Sequence, residues 1–455
     1  MKYIQKLNYT NILVLLYVFL FAFLFTYTYF RAEHVHDGLQ FSYYYKYYLL
    51  FFAGFSFWFF VLFLNKTKKH IIILFFTSLI FLVYFYETIN FYKPLILKSD
   101  FIKIFIKEDP FKINMNDKNS KLNIIKNLRK KNNDVVVPSI FPKVLVKSYK
   151  KILPLGGVSN ALTVFCKEGN EYSIYKSDRY GFNNVDDIWN EKNITWFLVG
   201  DSFTQGSCVK QNENFASQIN FLTKESALSV GMAGNGPLLE LASLKEYSKK
   251  KPENVLWFYF ERNDLNDLKF EKNSSILMSY LKKDFNQNLV SKQNQLDSFL
   301  NKYIETAKKN ILKPLPIKSK NQNKFLSFNK ILRLQILRDK SSLDRGLITR
   351  VDPLFKKVIY DANNFVKSWN GKFYFIYLPD KERFTSGRAN DDKYLKKSQI
   401  IKIVKSLQIP IIDIHEKFFN KQSDPLDFFA HRIYGHYNPK GYAEIAKLIV
   451  KSIKK

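Results

Sequence analysis

Long apolar runs without charge occupy the first ninety residues, and they constrain the chain more than any other feature. The run 11–30 (NILVLLYVFLFAFLFTYTYF) has no charged side chain and is about as long as a helix that crosses a bilayer. The runs 47–64 and 71–86 repeat the pattern, although the third is short enough to be a buried or re-entrant helix. We therefore predict a membrane anchor at 1–90 with about three transmembrane helices.

The positive charges beside these runs bear on the orientation of the anchor. Lysines and arginines lie on both sides of the predicted membrane, so their number does not decide it. The turn 65–70 (NKTKKH) concentrates charge most strongly, which places it and the N-terminus in the cytoplasm and the large domain outside. No small-residue cleavage motif follows the first run, which favours an uncleaved anchor over a signal peptide.

The chain is strongly basic, with a formal net charge of +31. Clustered lysine and arginine would favour nucleic acid as a partner, because they release counterions from phosphates. Here the lysines are spread along the whole chain, and no helix-turn-helix, zinc-finger or RNP pattern occurs. We therefore predict no nucleic-acid partner and a basic surface that faces anionic lipid or glycan.

Beyond the anchor, the segment 91–135 is predicted to be a linker because residues 114–134 are polar and rich in lysine and asparagine. The globular domain is predicted at 136–455, where short apolar runs alternate with amphipathic segments. This alternation predicts an α/β fold: a doubly wound (flavodoxin-like) parallel five-stranded sheet with helices on both faces, preceded by the transmembrane helices. Residues 268–350 are predicted to be a helical insertion, most simply a solvated excursion. The predicted strands are Thr195–Val199, Leu228–Val230, Val255–Phe260, Lys372–Leu378 and Ile409–Ile414.

Ligands bind at the carboxyl ends of the strands in such sheets, so the residues that follow each strand are the candidates for chemistry. The first strand runs into FLVGDSFTQG, which places Ser202 at a tight turn before a helix, where its hydroxyl can act as a nucleophile. The helix N-terminus there would favour developing negative charge. Taken alone, Gly-Asp-Ser is also an ordinary turn sequence.

Three further segments stand in comparable places. The second strand leads into SVGMAGNG, whose glycines, Gly234 among them, let the backbone approach a ligand closely. The third leads into FYFERNDL, where the Asn263 amide can reach an oxyanion or cap a helix. Finally, YGHYNPKGY places His436 just before the last helix, although a lone histidine is more often structural.

Together these four ordered segments resemble the blocks of the SGNH hydrolase superfamily, over about residues 136–455. The resemblance implies that Ser202 is the nucleophile and His436 its base. It further implies that the Ser202 amide, Gly234 and Asn263 form the oxyanion hole. The lead-in Cys166–Asn184 resembles that of membrane-linked bacterial members often associated with surface polysaccharides. We therefore expect a multi-pass protein of the bacterial inner membrane with a periplasmic catalytic domain.

The sequence departs from the family pattern at two positions. The superfamily usually has an Asp three residues before the His, where this chain has Ile433. Either Asp424 or Asp427 could orient the imidazole, or a backbone carbonyl could do so and leave a Ser-His dyad. The second departure is Arg262 in place of Gly before Asn263, which could contact an acidic substrate or the oxyanion, or block the pocket.

The chain has two cysteines, Cys166 and Cys208, which flank the Ser202 segment. They cannot supply a four-ligand zinc site, but they can form one bridge in an oxidising compartment. We predict such a bridge between the segment before the first strand and the loop after Ser202. The alternative is a pair of reduced, buried thiols.

The expected function is that of a serine esterase or deacylase acting on O-acyl esters of an envelope glycan or lipid, with no metal or organic cofactor. One alternative is an O-acyltransferase to a surface polysaccharide, which would need a membrane partner as acyl donor. The other is an inactive binding or assembly protein that keeps the fold.

Overall fold

The chain folds into two units in the computed structural model. One comprises Met1–Ile113 and Ile317–Arg350, and the other comprises Asn114–Pro316 and Val351–Lys455. The residues that the structure describes are 9–35, 41–96, 117–131, 135–146, 152–168, 171–312, 331–332, 334, 337, 349–385 and 392–454.

Three long helices build the described part of the first unit: α1 (Tyr9–Phe30), α2 (Phe41–Val61) and α3 (Lys66–Ile96). A short π-helical segment continues α1 through Arg31–Val35. Among the described residues, two helical stretches are long and apolar enough to cross a membrane, Tyr9–His34 and Lys66–Asn90. The helix over the second predicted span, α2, falls short of that apolarity, and its first half is rich in tyrosine.

The second unit begins with the helix α4 (Asp117–Lys131) and a small sheet of three strands. The strands are β1 (Val136–Pro138), β2 (Leu162–Val164) and β3 (Ile174–Lys176), with β2 in the middle. Strands β1 and β2 are parallel, whereas β2 and β3 form an antiparallel hairpin. The predicted linker 91–135 thus contains a helix, whose Ile125 packs against Val136 and Val164. Its residues 97–116 and 132–134 lie outside the described part.

A five-stranded parallel sheet follows, with the strand order β5-β4-β6-β7-β8. Its strands are β4 (Trp196–Val199), β5 (Ala227–Ser229), β6 (Asn254–Phe260), β7 (Lys372–Leu378) and β8 (Ile411–Asp413). Each coincides, to within a few residues, with a predicted strand. The predicted doubly wound α/β fold is confirmed, because the chain starts in the sheet at β4, adds β5 on one side and then crosses to β6.

Helices cover both faces of this sheet, and the central strand β6 alternates between them. Val255, Trp257 and Tyr259 point into the larger core, which also receives side chains from the helices Pro237–Tyr247 and Pro353–Lys367. The residues in between, Leu256, Phe258 and Phe260, point into the other core, against the helices Phe215–Thr223 and Pro439–Ile453. Burial on both faces explains why the strand sequences are continuously apolar.

In chain order, the helices of this unit after α4 are α5 (Pro142–Leu145), α6 (Ser202–Gln205), α7 (Phe215–Thr223), α8 (Pro237–Tyr247), α9 (Asp264–Glu271), α10 (Ser275–Ser279), α11 (Gln293–Leu312), α12 (Pro353–Lys367), α13 (Asp392–Leu395), α14 (Lys397–Ser406), α15 (Ile414–Lys417) and α16 (Pro439–Ile453).

The predicted insertion 268–350 is helical in its first part, but it is not a solvated excursion there. Leu296, Leu300 and Ile304 of α11 are buried in the larger core, so one face of that helix belongs to the domain. Its later part, Ile317–Arg350, groups with the N-terminal unit. Residues 313–330, 333, 335–336 and 338–348 lie outside the described part.

Candidate active site

Ser202 is the first residue of α6, three positions after the carboxyl end of β4. The turn from β4 into α6 is so tight that it leaves no room for a side chain at Gly200. A Cβ added there would lie 2.1 Å from Thr204 Oγ1. Asp201 caps α6 by accepting a hydrogen bond from the Phe203 amide at 3.0 Å. The turn therefore holds Ser202 at the sheet edge where parallel strands present ligand-binding residues.

His436 lies next to Ser202, as the resemblance implies. The Ser202 hydroxyl donates a hydrogen bond to His436 Nε2 at 2.9 Å. The ring of Phe203 packs against the imidazole with a centroid distance of 4.9 Å, and the His436 carbonyl accepts from the Ala430 amide at 3.0 Å. These contacts fix the imidazole in a position to take the proton of Ser202.

The other nitrogen of the imidazole meets a carboxylate that the sequence analysis missed. His436 Nδ1 donates to Glu168 Oε1 at 2.6 Å, and the His436 backbone amide reaches Glu168 Oε2 at 3.3 Å. Glu168 lies in the loop between β2 and β3, and its side chain is largely buried. The three side chains thus have the geometry that a nucleophile, its base and an orienting acid require.

The two aspartates considered as the orienting acid lie elsewhere, which corrects that expectation. Asp424 and Asp427 both form ion pairs with Arg432, and the Asp424 contact measures 2.5 Å. All three side chains are exposed, so the pairs hold the loop before His436 at the surface. The dyad alternative is corrected as well, because the partner of His436 Nδ1 is a carboxylate and not a backbone carbonyl.

Two backbone amides are available at the same sheet edge. Gly234 follows β5, the strand beside β4, and has a φ of 79°, a left-handed conformation that favours glycine. Its loop is tied to α6 because the Ala233 amide donates to Gln205 Oε1 at 2.7 Å. Within the described part of the chain, neither the Ser202 nor the Gly234 amide donates a hydrogen bond.

Asn263 follows β6, the strand on the other side of β4, and its side-chain amide is held by a carboxylate. Nδ2 donates to Asp267 Oδ2 at 2.7 Å, and Asp267 in turn forms an ion pair with Lys143. The Asn263 side chain also hydrogen-bonds Asp201, so two carboxylates hold it in place. The three candidate oxyanion donors thus follow three adjacent strands at one edge of the sheet.

Behind this edge lies a group of buried acidic side chains. Burial raises the pKa of Asp201 to about 6, although the Phe203 amide and the nearby His436 act in the opposite direction. Burial, together with the charges of Asp264 and Asp201, also raises the pKa of Glu240 well above its ordinary value. Both carboxyl oxygens of Glu240 are buried, and neither has a hydrogen-bond partner among the described residues.

Arg262 does not stand as an isolated positive charge. Its guanidinium lies 3.5 Å from Asp380 and 3.3 Å from Glu382, both of which follow β7. The same two carboxylates also pair with Lys393. The charge of Arg262 is therefore compensated by this network, which weakens the expectation that it contacts an acidic substrate or the oxyanion.

The two cysteines are joined in the structure. Cys166 and Cys208 form a disulfide with a Cα–Cα distance of 5.3 Å across 42 residues. Cys166 precedes Glu168 by two residues, and Cys208 lies in the loop after α6. The sequence therefore held a signal for the missing acid, since a bridge between these cysteines brings Glu168 towards Ser202.

Among the solved structures that align with this chain are three proteins of low identity. The first is a G-D-S-L family protein from Desulfitobacterium hafniense DCB-2 that is described as lipolytic, with 11% identity and a TM-score of 0.32, covering 57% of this chain and 100% of its own. The second is the acetyl xylan esterase AlAXEase, with 14% identity and a TM-score of 0.31 over 57% of this chain and 100% of its own. A lipase/acylhydrolase from Enterococcus faecalis aligns with 14% identity and a TM-score of 0.30, over 57% and 95%.

No family model matches the chain, and no curated protein does either. In its four ordered sequence blocks and its five-stranded parallel sheet, the chain resembles the SGNH hydrolase superfamily.

Proposed function

We propose that this protein is a serine esterase that hydrolyses O-acyl esters through an acyl-enzyme on Ser202. One observation carries the proposal: the Ser202 hydroxyl contacts His436 Nε2 at 2.9 Å while His436 Nδ1 contacts Glu168 at 2.6 Å. A hydroxyl is a weak nucleophile unless a base takes its proton, and this arrangement supplies the base and fixes its tautomer.

In the acylation step, Ser202 Oγ attacks the carbonyl carbon of the ester as its proton passes to His436 Nε2. Glu168 stabilises the imidazolium that forms and keeps Nδ1 protonated throughout. The tetrahedral intermediate then collapses, the bond to the alcohol oxygen breaks, and His436 returns the proton to the leaving alcohol. The acyl group remains as an ester on Ser202.

The oxyanion of the tetrahedral intermediate is assigned to the amides of Ser202 and Gly234 and to the Asn263 side chain. These donors are held before the substrate arrives, by the start of α6, by the left-handed backbone at Gly234 and by the contact between Asn263 and Asp267. Donors that need no rearrangement stabilise developing charge most effectively. In deacylation, His436 activates water, which attacks the acyl-enzyme at the same site.

The substrate we propose is an O-acylated glycan or lipid of the bacterial envelope, with the domain anchored in the inner membrane and facing the periplasm. Two described helices are apolar enough to span a bilayer, which supports an anchor. A formal net charge of +31 favours contact with anionic lipids or polymers. The disulfide fits an oxidising compartment such as the periplasm.

Two observations from the sequence favoured the alternative of an inactive binding protein, and neither favours it in the structure. One was the lack of an acid for His436, and Glu168 occupies that place. The other was Arg262, whose charge is compensated by Asp380 and Glu382. Transfer of the acyl group to a sugar hydroxyl would proceed from the same acyl-enzyme, and the choice between water and sugar rests on features of the substrate site.

The test is labelling by a serine-reactive fluorophosphonate together with turnover of a short-chain aryl ester, both on the full chain in detergent. We expect the wild type to be labelled and active, and Ser202→Ala to be neither, because Ala fits the same turn but lacks the hydroxyl. Ser275→Ala, at an exposed serine of α10, is the matched control and should behave as the wild type. Labelling of Ser202→Ala at the wild-type level would refute the assignment.

A further inference from the structure

The disulfide lies beside the proposed catalytic residues and not in a remote part of the domain. The Cys208 sulfur, a Glu168 carboxylate oxygen and a His436 ring nitrogen all lie within 4.8 Å of one another. Cys166, the other half of the bridge, is two residues before Glu168 in the chain. The bridge thus joins the loop that carries the acid to the loop that follows the nucleophile.

Among the described residues of this loop, the backbone hydrogen bonds lie at its base. Phe165 and Ser173 are paired across the hairpin, and the Ser173 amide donates to the Cys166 carbonyl at 2.8 Å. Farther along the hairpin, Gln205 Nε2 donates to the Tyr175 hydroxyl at 2.9 Å, which ties β3 to α6. The second of these bonds ties the small sheet to the helix that begins at Ser202.

The tip of the loop is different, because Glu168 sits beyond the last of these paired residues. Glu168 makes two contacts with His436. The disulfide at Cys166, two residues away in the chain, lies near it as well. Cys208 itself has a φ of 63°, in the left-handed region that residues with a side chain adopt uncommonly. We therefore expect the loop of Glu168 to relax from its position beside His436 when the bridge is broken.

We propose that the Cys166–Cys208 disulfide is a positioning element for Glu168, so that breaking it uncouples His436 from its carboxylate while the domain stays folded. The inference rests on the proposed function, since it concerns the orientation of the proposed base. The step that breaks the bridge is thiol–disulfide exchange with a dithiol: two electrons and two protons pass to Cys166 and Cys208, which become thiols, and the dithiol closes into a cyclic disulfide.

The experiment compares four forms of the full chain in detergent: the wild type, Glu168→Gln, the pair Cys166→Ser with Cys208→Ser, and all three changes together. Turnover of an aryl ester gives kcat and KM for each. We expect the serine pair to lower kcat by at least about tenfold, in the direction of Glu168→Gln, with little change in KM. In the Glu168→Gln background, the serine pair should cause little further loss, because both changes remove the same contact.

A purely structural role of the bridge gives another pattern. The losses would then multiply, so that the triple variant would be slower than Glu168→Gln by the full factor of the serine pair. That result, or a serine pair with the wild-type kcat, would overturn the proposal. Should the serine pair fail to fold, dithiothreitol treatment of the folded wild type replaces it, and we expect the same loss of kcat and its recovery on reoxidation.

A readout that does not need turnover separates this proposal from the proposed function. The Nδ1 proton of His436, held against a carboxylate, should give a downfield proton NMR resonance that disappears in Glu168→Gln. We expect this resonance to disappear in the serine pair as well. If the resonance persists in the serine pair, the positioning role of the disulfide is refuted, even when the enzyme is active. If the resonance depends on the bridge as expected but the protein has no esterase activity, the proposed function alone would be refuted.

Discussion

Glu168 Oε1 lies 2.6 Å from His436 Nδ1, although 268 residues separate them in the chain. The position three residues before the histidine, where a carboxylate was expected from the family pattern, holds Ile433, which is exposed. Glu168 therefore reaches the imidazole from the hairpin β2–β3. An orienting acid is defined by its geometry towards the base, and its place in the sequence is free.

We expect Glu168→Gln to lower kcat for an aryl ester by about 10²- to 10⁴-fold, with KM nearly unchanged. Glutamine keeps the size of the side chain but cannot stabilise the imidazolium, and it can favour the wrong tautomer. Steady-state kinetics of the purified full chain measure the effect.

Asp424→Asn and Asp427→Asn are the matched controls for this change. Each removes a carboxylate from the loop before His436, but both carboxylates are exposed and paired with Arg432. Their kcat values should stay close to that of the wild type. If kcat fell strongly in either control while Glu168→Gln stayed active, that aspartate and not Glu168 would be the orienting acid.

The sheet could be predicted from the sequence because its strands are buried on both faces. Runs such as Val255–Phe260 are continuously apolar, and each is followed by the residues that bind ligands in parallel sheets. The same regularity placed Ser202, Gly234, Asn263 and His436 at one edge. Local sequence is informative here since each candidate directly follows or precedes a regular element.

Glu168 could not be found in this way because no strand or helix of the main sheet carries it. It lies in a hairpin loop whose sequence, CKEGNEYS, reads as an ordinary polar turn. The contacts that bring it to the site, the Cys166–Cys208 bridge among them, are long-range. The packing of α11 was missed for a related reason: its buried residues Leu296 and Leu300 stand among many polar ones.

The Asn263 side chain can be tested as an oxyanion donor. We expect Asn263→Ala to lower kcat by about 10²- to 10³-fold, because the donor acts on charge that exists only in the intermediate. KM should change little, since the ester carbonyl of the bound substrate needs this donor less. Asn266→Ala, an exposed position one turn into α9, is the control and should keep the wild-type kcat. Equal rates for both variants would exclude Asn263 from the oxyanion hole.

Glu240 should make the stability of the domain depend on pH. Burial raises its pKa above the ordinary value of 4.5, so the folded protein holds this proton more tightly than the unfolded chain does. The stabilising contribution is fully present below about pH 4.5 and is lost as the pH rises towards the folded pKa.

Glu240→Gln, which stays neutral, should therefore raise the melting temperature relative to the wild type at pH 8 but not at pH 4.5. The gain should grow as the pH rises, because only the wild type must release the buried proton or ionise against its burial. The exposed Asp187→Asn serves as the control and should show no such pH-dependent gain. Identical pH profiles for Glu240→Gln and the wild type would contradict the predicted role of burial.

The orientation in the membrane can be tested with reporter fusions, and the disulfide supports a domain outside the cytoplasm. Bridges form and persist outside the cytoplasm, so the domain that carries Cys166 and Cys208 should be periplasmic. Alkaline phosphatase is active only after export. A fusion after Lys455 should therefore be active in a bacterial host, whereas a fusion after Asn65, in the lysine-rich turn between α2 and α3, should be inactive. The reverse pattern would place the domain in the cytoplasm, where the two thiols would stay reduced and the bridge could not position Glu168.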